Sequence, residues 1–143
     1  MKRVIFMCTC LAATAVAAHQ GVQNPTVKAR MDNMSAIAEN VKTLGSMAKG
    51  QTTFDQASAR DAALAIATHA VETTTLFQDP ATDPKSEARA EIWENFEDFT
   101  AKADELEMVA RQLSNSISVK ADLGVAMKDL GATCKSCHAD YRK

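Results

Sequence analysis

Reactive side chains are scarce in this chain of 143 residues, which has four cysteines, three histidines, one tryptophan and one tyrosine. Aromatic residues make up only 5% of it, and its β-branched residues do not alternate with polar ones, so the usual pattern of β-strands is missing. The formal net charge is −2, so the chain also lacks the basic excess of proteins that bind nucleic acid. These absences favour an all-α protein and exclude nucleic acid as a partner.

The N-terminus has the layout of a secretory signal peptide. Lys2 and Arg3 precede an apolar run of 15 residues, VIFMCTCLAATAVAA, which gives way to the polar sequence HQGVQNP. A helix that spans a bilayer needs about 20 apolar residues, so a cleaved leader is favoured over an anchor. We therefore predict a signal peptide over residues 1–18 and a mature domain over residues 19–143. The mature chain should be exported to the periplasm, with no membrane insertion.

Four helical segments are predicted in the mature chain. The first begins with Asn24 as its cap and Pro25 in its first turn, and the second begins near Asp55. The third follows Ser86 as its cap, and the fourth begins near Val119. In each segment apolar residues recur at spacings of three and four, which gives every helix one apolar face. Such helices, joined by short loops, predict an antiparallel up-down four-helix bundle.

The sequence closes with GATCKSCHADYRK, which contains the only cysteines that remain after removal of the leader. Cys134 and Cys137 lie three residues apart, on one face of a helix, and His138 follows directly. Each thiol can form a thioether with one vinyl group of a haem, and the imidazole can then bind the iron. The motif predicts one covalently attached haem c with His138 as an axial ligand.

Other uses of two closely spaced cysteines fit the chain less well. A zinc site needs about four ligands, and the motif offers three. A thioredoxin-like redox pair expects a βαβ setting, which an all-helical chain does not provide. A disulfide between these cysteines would close a loop of a few residues and stabilise little.

Four segments resemble the class II c-type cytochromes, the cytochrome c-prime family. They are CKSCHADYR at the C-terminus, AEIW at 90–93, KGQTTFDQA at 49–57 and ARMDNM at 29–34. The resemblance spans about residues 24–143 and implies a four-helix bundle that carries haem c. The family often forms dimers through its first two helices, so a homodimer is one possibility, and neither state follows from one sequence.

Met34 is the position at which the resemblance separates two kinds of protein. Typical family members carry an apolar residue there, often Leu, over an open sixth coordination position on high-spin iron. Low-spin relatives carry a methionine that binds the iron through sulfur. The resemblance therefore implies His138 and Met34 as the two axial ligands. Two alternatives stay open, since a methionine at helical spacing commonly fills core space and His69 on the second helix is another candidate ligand.

The resemblance also implies further contacts with the haem. Arg30 is expected to neutralise a haem propionate, and Met31 and Glu87 are expected near the other polar edge. Arg142 matches the family's arginine near the proximal face of the haem, although it could simply be a solvated charge at the end of a helix. Phe77 is expected in the distal pocket, with ordinary core packing as the alternative.

Two functions follow from these expectations. The first is a soluble periplasmic carrier of single electrons between redox partner proteins that the sequence does not identify. The second is a gas-binding protein for NO or CO, or a buffer of NO, with five-coordinate iron. The chain presents no general base, nucleophile or second metal cluster near the motif, so we do not expect an enzyme.

Overall fold

The computed structural model describes residues 21–143, so the predicted signal peptide and its cleavage point lie outside the described residues. The described part forms five helices: α1 (Pro25–Ala48), α2 (Gln56–Leu76), α3 (Glu91–Glu94), α4 (Phe96–Ser116) and α5 (Asp122–Tyr141). Between residues 21 and 143 there is no β-strand, only an isolated antiparallel bridge that joins Ala88 to Arg142. None of these helices is both long and apolar enough to cross a membrane.

The first two helices begin where the sequence predicts. The side-chain Oδ1 of Asn24 accepts hydrogen bonds from the backbone N–H groups of Thr26 (2.9 Å) and Val27 (3.2 Å). Asp55 caps α2 in the same way, because its carboxylate accepts from the backbone N–H of Ser58 at 2.7 Å. Both caps satisfy N–H groups that have no partner within the helix, which fixes where each helix starts.

The predicted start of the third helix is wrong. Ser86 does not cap a helix, and its hydroxyl accepts only from the backbone N–H of Ala88, two residues along, at 3.2 Å. Residues 86–89 instead pair with the C-terminal residues 141–143. The backbone N–H of Arg89 donates to the carbonyl of Tyr141 (3.0 Å) and that of Lys143 donates to the carbonyl of Glu87 (2.8 Å). This pairing uses backbone groups that a helix would need.

As a result, the third helical segment forms in two pieces. Helix α3 is a single turn, and Asn95, with φ −128° and ψ 48°, separates it from α4. The last helix also begins later than predicted, at Asp122. The carboxylate of Asp122 accepts from the backbone N–H groups of Ser118 (2.8 Å) and Val119 (3.0 Å) and so holds the turn that leads into α5.

The four long helices form the predicted bundle. Helix α1 packs against α2 and α5, and α4 packs against the same two helices, so each long helix has two neighbours. The small, fully buried alanines of α2 allow its neighbours to approach closely. They are Ala59, Ala63, Ala67 and Ala70.

Two groups of buried apolar residues lie along the bundle. The larger one holds fully buried aliphatic side chains such as Leu44, Ile66 and Leu123. The smaller one lies near the C-terminus and is mainly aromatic; its buried members are Phe77, Ile92, Phe99 and Tyr141.

Candidate haem-binding site

A cavity of about 510 Å³ opens between the helices, in the size range of small-molecule and cofactor sites. Helices α1 and α5 supply much of its wall, and residues 86–88 close one side. The nine residues predicted to attach, ligate or contact a haem line this cavity, most of which is apolar. They are Arg30, Met31, Met34, Phe77, Glu87, Cys134, Cys137, His138 and Arg142.

Cys134 and Cys137 lie in the second half of α5, and both are free and partly buried. Burial raises the pKa of Cys134, and it raises the pKa of Cys137 to about 11, although the Lys102 ammonium opposes the shift. The surroundings therefore disfavour a thiolate. A neutral sulfur suits the same surroundings, and the thioether of an attached haem is neutral.

His138 follows the second cysteine on α5 and lines the same cavity. Partial burial lowers its pKa, the nearby Arg142 guanidinium lowers it further, and the Glu87 carboxylate opposes both effects. A lowered pKa leaves the imidazole neutral at pH 7. The neutral imidazole is the form that binds a metal ion, so the side chain is in the state that iron ligation requires.

Glu87 and Arg142 are brought to the cavity by the pairing of residues 86–89 with residues 141–143. Two nitrogens of the Arg142 guanidinium contact one oxygen, Oε2, of the Glu87 carboxylate. Nε donates to it at 2.6 Å, and Nη2 lies 2.5 Å from it. Both side chains are more than half exposed, so the pair itself adds little stability. Its effect is to hold two opposite charges at the edge of the cavity beside His138.

Met34 lines the cavity from α1, and Phe77 lines it from the position directly after α2. Met34 is partly buried and contacts both groups of buried apolar residues. The Phe77 ring packs against Phe99 with 5.0 Å between centroids, and Phe99 meets the Tyr141 ring edge-on at 5.4 Å. Phe77 therefore packs as a core residue and also lines the cavity.

Arg30 is buried, with 2% of its surface exposed, although it lines the cavity. Its Nε donates to the carbonyl of Leu76 and its Nη1 to that of Ala81, both at 2.9 Å. The remaining nitrogen, Nη2, donates to the carbonyl of Asp79. Each guanidinium nitrogen thus has a carbonyl partner, either at the last residue of α2 or in the chain that follows it. The expected contact between Arg30 and a haem propionate remains a prediction.

His69 does not line the cavity. Its Nδ1 lies 2.8 Å from Oδ1 of Asn33 and 2.9 Å from the Glu72 carboxylate. The same Asn33 amide donates to the carbonyl of His69 and to the hydroxyl of Thr73, both at 3.0 Å. This network ties α1 to α2, which argues against His69 as the second axial ligand.

Several polar residues that the sequence did not single out for the site also line the cavity, and two of them carry ionisable groups, Lys102 and Tyr141. Lys102 on α4 lies 3.3 Å from the Asp140 carboxylate and donates to the Ser136 hydroxyl at 3.2 Å. Tyr141 donates its hydroxyl to Asp98 at 2.6 Å. Tyr141 could have been found, since it lies one helical turn beyond His138. Nothing in the sequence around Lys102 distinguishes it from a solvated lysine.

The fold and the site define a c-type cytochrome built on a four-helix bundle. Two free cysteines one helical turn apart, a neutral imidazole beside them and an apolar cavity fit a covalently attached haem. The family described as Cytochrome C' matches residues 25–142 of the chain. The chain belongs to this family, whose members bind a single covalently attached haem c.

Individual relatives agree with this assignment. Cytochrome c-556 of Agrobacterium fabrum is 34% identical over 140 residues, which cover 97% of this chain and 90% of that protein. Cytochrome c' of Cereibacter sphaeroides is 33% identical, with 99% and 98% covered. The structure of cytochrome c' from Rhodopseudomonas palustris superimposes with a TM-score of 0.77 at 29% identity, covering 85% of this chain and 98% of that one.

Proposed function

We propose that this cytochrome carries single electrons through a low-spin haem iron bound by His138 and Met34. The observation that supports the proposal is that both side chains line one cavity, one from α5 and the other from α1. Helices α1 and α5 are neighbours in the bundle, so ligands from the two helices can face each other across the cavity.

The haem supplies an iron that accepts and releases one electron, and the residues around the haem set the reduction potential. A thioether sulfur from Met34 would stabilise the ferrous state and raise the reduction potential. It would also occupy the sixth position. Cys134 and Cys137 would hold the haem on α5, so that the His138 imidazole meets the iron at high effective concentration.

The wall of the cavity would serve the same purpose. Phe77 and the aromatic residues packed against it would exclude water from the Met34 side, and a low-dielectric surrounding strengthens the influence of nearby charges. Glu87 and Arg142 would place opposite charges at the edge beside His138. Met31 would line the cavity one turn before Met34.

A gas-binding function is the second candidate, and membership of the cytochrome c' family favours it. In typical members the sixth position is open, and Met34 would then only cover the iron or be displaced by NO or CO. The partial burial of Met34 among apolar neighbours agrees with a covering role as well as with ligation.

The optical spectrum distinguishes the two functions. For the carrier we expect a low-spin ferric spectrum with a weak sulfur-to-iron band in the near infrared. We also expect the spectrum of the reduced protein to stay unchanged when CO is added. Met34→Ala should abolish that band and allow CO to bind. Met31→Ala is the matched control, since it removes the same side chain from the same helix and cavity and should leave the band in place. A wild-type protein that is high-spin and binds CO rejects the carrier, and a Met34→Ala spectrum identical to that of wild type rejects Met34 as the ligand.

The cellular setting is part of the proposal. We expect cleavage before His19, accumulation in the periplasm and electron exchange with other proteins there. N-terminal sequencing of the protein from a periplasmic extract tests the first two, and gel filtration of the holoprotein distinguishes a monomer from a homodimer.

A further inference from the structure

We infer that Arg30 is a positioning residue, which holds the chain after α2 against α1 and thereby fixes the wall formed by Phe77 and Met34. This role differs from that of a counter-ion for a haem propionate. Only the effect on the iron rests on the proposed ligation by Met34, because the contacts of Arg30 do not depend on that ligation.

The contacts form a clamp, by which we mean Arg30 and the three carbonyl groups that it binds, those of Leu76, Asp79 and Ala81. One carbonyl belongs to the last residue of α2, where helical carbonyls lack partners within the helix. The other two belong to the irregular chain that follows. A guanidinium has five N–H donors in a fixed planar fork, so it can bind three carbonyls at once, whereas an ammonium cannot reproduce this geometry.

Two aromatic rings complete the surroundings of the guanidinium. Its central carbon lies 4.7 Å from the centroid of the Phe77 ring and 5.2 Å from that of the Trp93 ring. The indole N–H of Trp93 donates to the carbonyl of Phe77 at 2.8 Å. The ring of Phe77 thus contacts Arg30 directly, and its carbonyl is held by Trp93, whose ring also contacts Arg30. Such contacts stabilise a buried cation and orient the rings.

The position of Arg30 on α1 connects the clamp to the candidate ligand. Arg30 and Met34 are one helical turn apart and line the same cavity, and Met34 packs against the aromatic group that contains Phe77. When the clamp is loosened, Phe77 loses its fixed place and the packing beside the Met34 sulfur loosens with it. Arg30 would act on the iron through this packing.

Conservative substitutions separate the two roles. Arg30→Lys keeps the positive charge and loses the fork, while Arg30→Gln loses both. Arg30→Lys therefore preserves a counter-ion, whereas both variants break the hydrogen bonds of the clamp. Arg60→Lys is the matched control: Arg60 binds the carbonyls of Ile117 (2.7 Å) and Asn115 (3.2 Å) but does not line the cavity.

The experiment uses the holoprotein with three measurements: hydrogen exchange in the peptide covering residues 76–82, the sulfur-to-iron band, and the reduction potential between pH 5 and 9. In this peptide the amides of Phe77 and Gln78 donate to Thr73 and Thr75 and should exchange slowly. We expect both Arg30 variants to speed exchange there by on the order of tenfold or more and to weaken the band well below the unfolding temperature. Arg60→Lys should leave the band unchanged, although it removes similar hydrogen bonds.

Two results would overturn the inference. In the first, hydrogen exchange in Arg30→Lys equals that of the wild type, and only Arg30→Gln shows a changed reduction potential and a changed pH dependence of that potential. This result would identify Arg30 as a counter-ion. The other is unchanged exchange in both variants. Should Arg30→Gln fail to fold, Arg30→Lys and Arg60→Lys still decide between the roles. Failure of the proposed ligation looks different, because the wild type would then lack the band while the exchange result for Arg30 stands.

Discussion

Replacing Tyr141 with Phe tests the chemistry of the cavity wall with the removal of a single oxygen atom. The Tyr141 hydroxyl donates to the Asp98 carboxylate at 2.6 Å, and its ring meets Phe99 edge-on. The side chain is 6% exposed. Phenylalanine keeps the ring and its packing, so the change in stability reports the hydrogen bond.

The exposure of Asp98 sets the size of the effect. A hydrogen bond to a charged group contributes about 1.5–3 kcal/mol, but after the substitution the Asp98 carboxylate regains water because more than half of its side chain is exposed. We therefore expect Tyr141→Phe to lower the free energy of unfolding by about 1–1.5 kcal/mol. For a domain of this size the melting temperature should fall by about 4–6 °C.

The effect should also depend on pH. Burial, and then the hydrogen bond and charge of Asp98, raise the pKa of Tyr141 to about 12. A tyrosine in the unfolded chain has a pKa of about 10. The folded state therefore holds this proton more tightly, so the stabilisation is complete below pH 10 and is lost as the pH rises towards 12. The Phe variant lacks this loss, and the gap between the two proteins should narrow above pH 10.

Denaturation of four holoproteins measures the interaction itself: wild type, Tyr141→Phe, Asp98→Asn and the double variant. Asp98 also lies 3.8 Å from Lys102, but that contact is lost in both arms of the cycle and cancels. We expect a coupling energy of about 1 kcal/mol. Changes that add to within about 0.3 kcal/mol would show that the hydroxyl and the carboxylate do not interact, and the reasoning would fail.

The remaining predictions concern residues outside the cavity. Gly131→Ala should stabilise the protein by about 0.5–1 kcal/mol in chemical denaturation, because Gly131 lies within α5 and no atom comes within 4 Å of an added Cβ. The same change at Gly50 should destabilise by about 1 kcal/mol, because its φ of 72° disfavours a side chain; a gain there would contradict the assignment. Hydrogen bonds from the backbone N–H groups of Lys85, Asn24 and Gln23 lower the pKa of Asp83 in the folded protein. Ionised Asp83 therefore stabilises the fold at pH values above the usual pKa of an aspartate, and this stabilisation is lost as the pH falls through the lowered pKa. Between pH 2 and 6, the melting temperature of Asp83→Asn should fall less steeply with decreasing pH than that of the wild type, and equal slopes would contradict this.

The helix starts show which parts of this fold are readable from sequence. Asn24 and Asp55 bind N–H groups two or three residues ahead, so their effect is local and a single sequence reveals it. Ser86 carries the same local signal and does not start a helix. Its neighbours pair with residues 141–143, more than fifty positions away in sequence. That competition is visible only after the bundle has formed.

The site divides in the same way. Cys134, Cys137 and His138 form a motif within one helix, so their chemistry was readable directly, and the resemblance supplied Met34 and the other contacts. All nine residues line one cavity, and their roles towards a haem remain predictions. What neither source provided was the environment of each charge. The three carbonyls around Arg30 and the Asp140 carboxylate beside Lys102 come from segments remote in sequence.

Under the proposed ligation, the two sides of the iron depend on different levels of structure. The proximal side is local, because the thioethers and the imidazole belong to one helix and persist as long as the covalent bonds do. The distal side depends on α1 packing against α5 and on the clamp that holds Phe77 beside Met34. Changes on α1 or in the chain after α2 can therefore alter the sixth position without loss of the haem. Under this proposal, one scaffold would carry electrons with a sulfur ligand at position 34 and would bind gas with an apolar residue there.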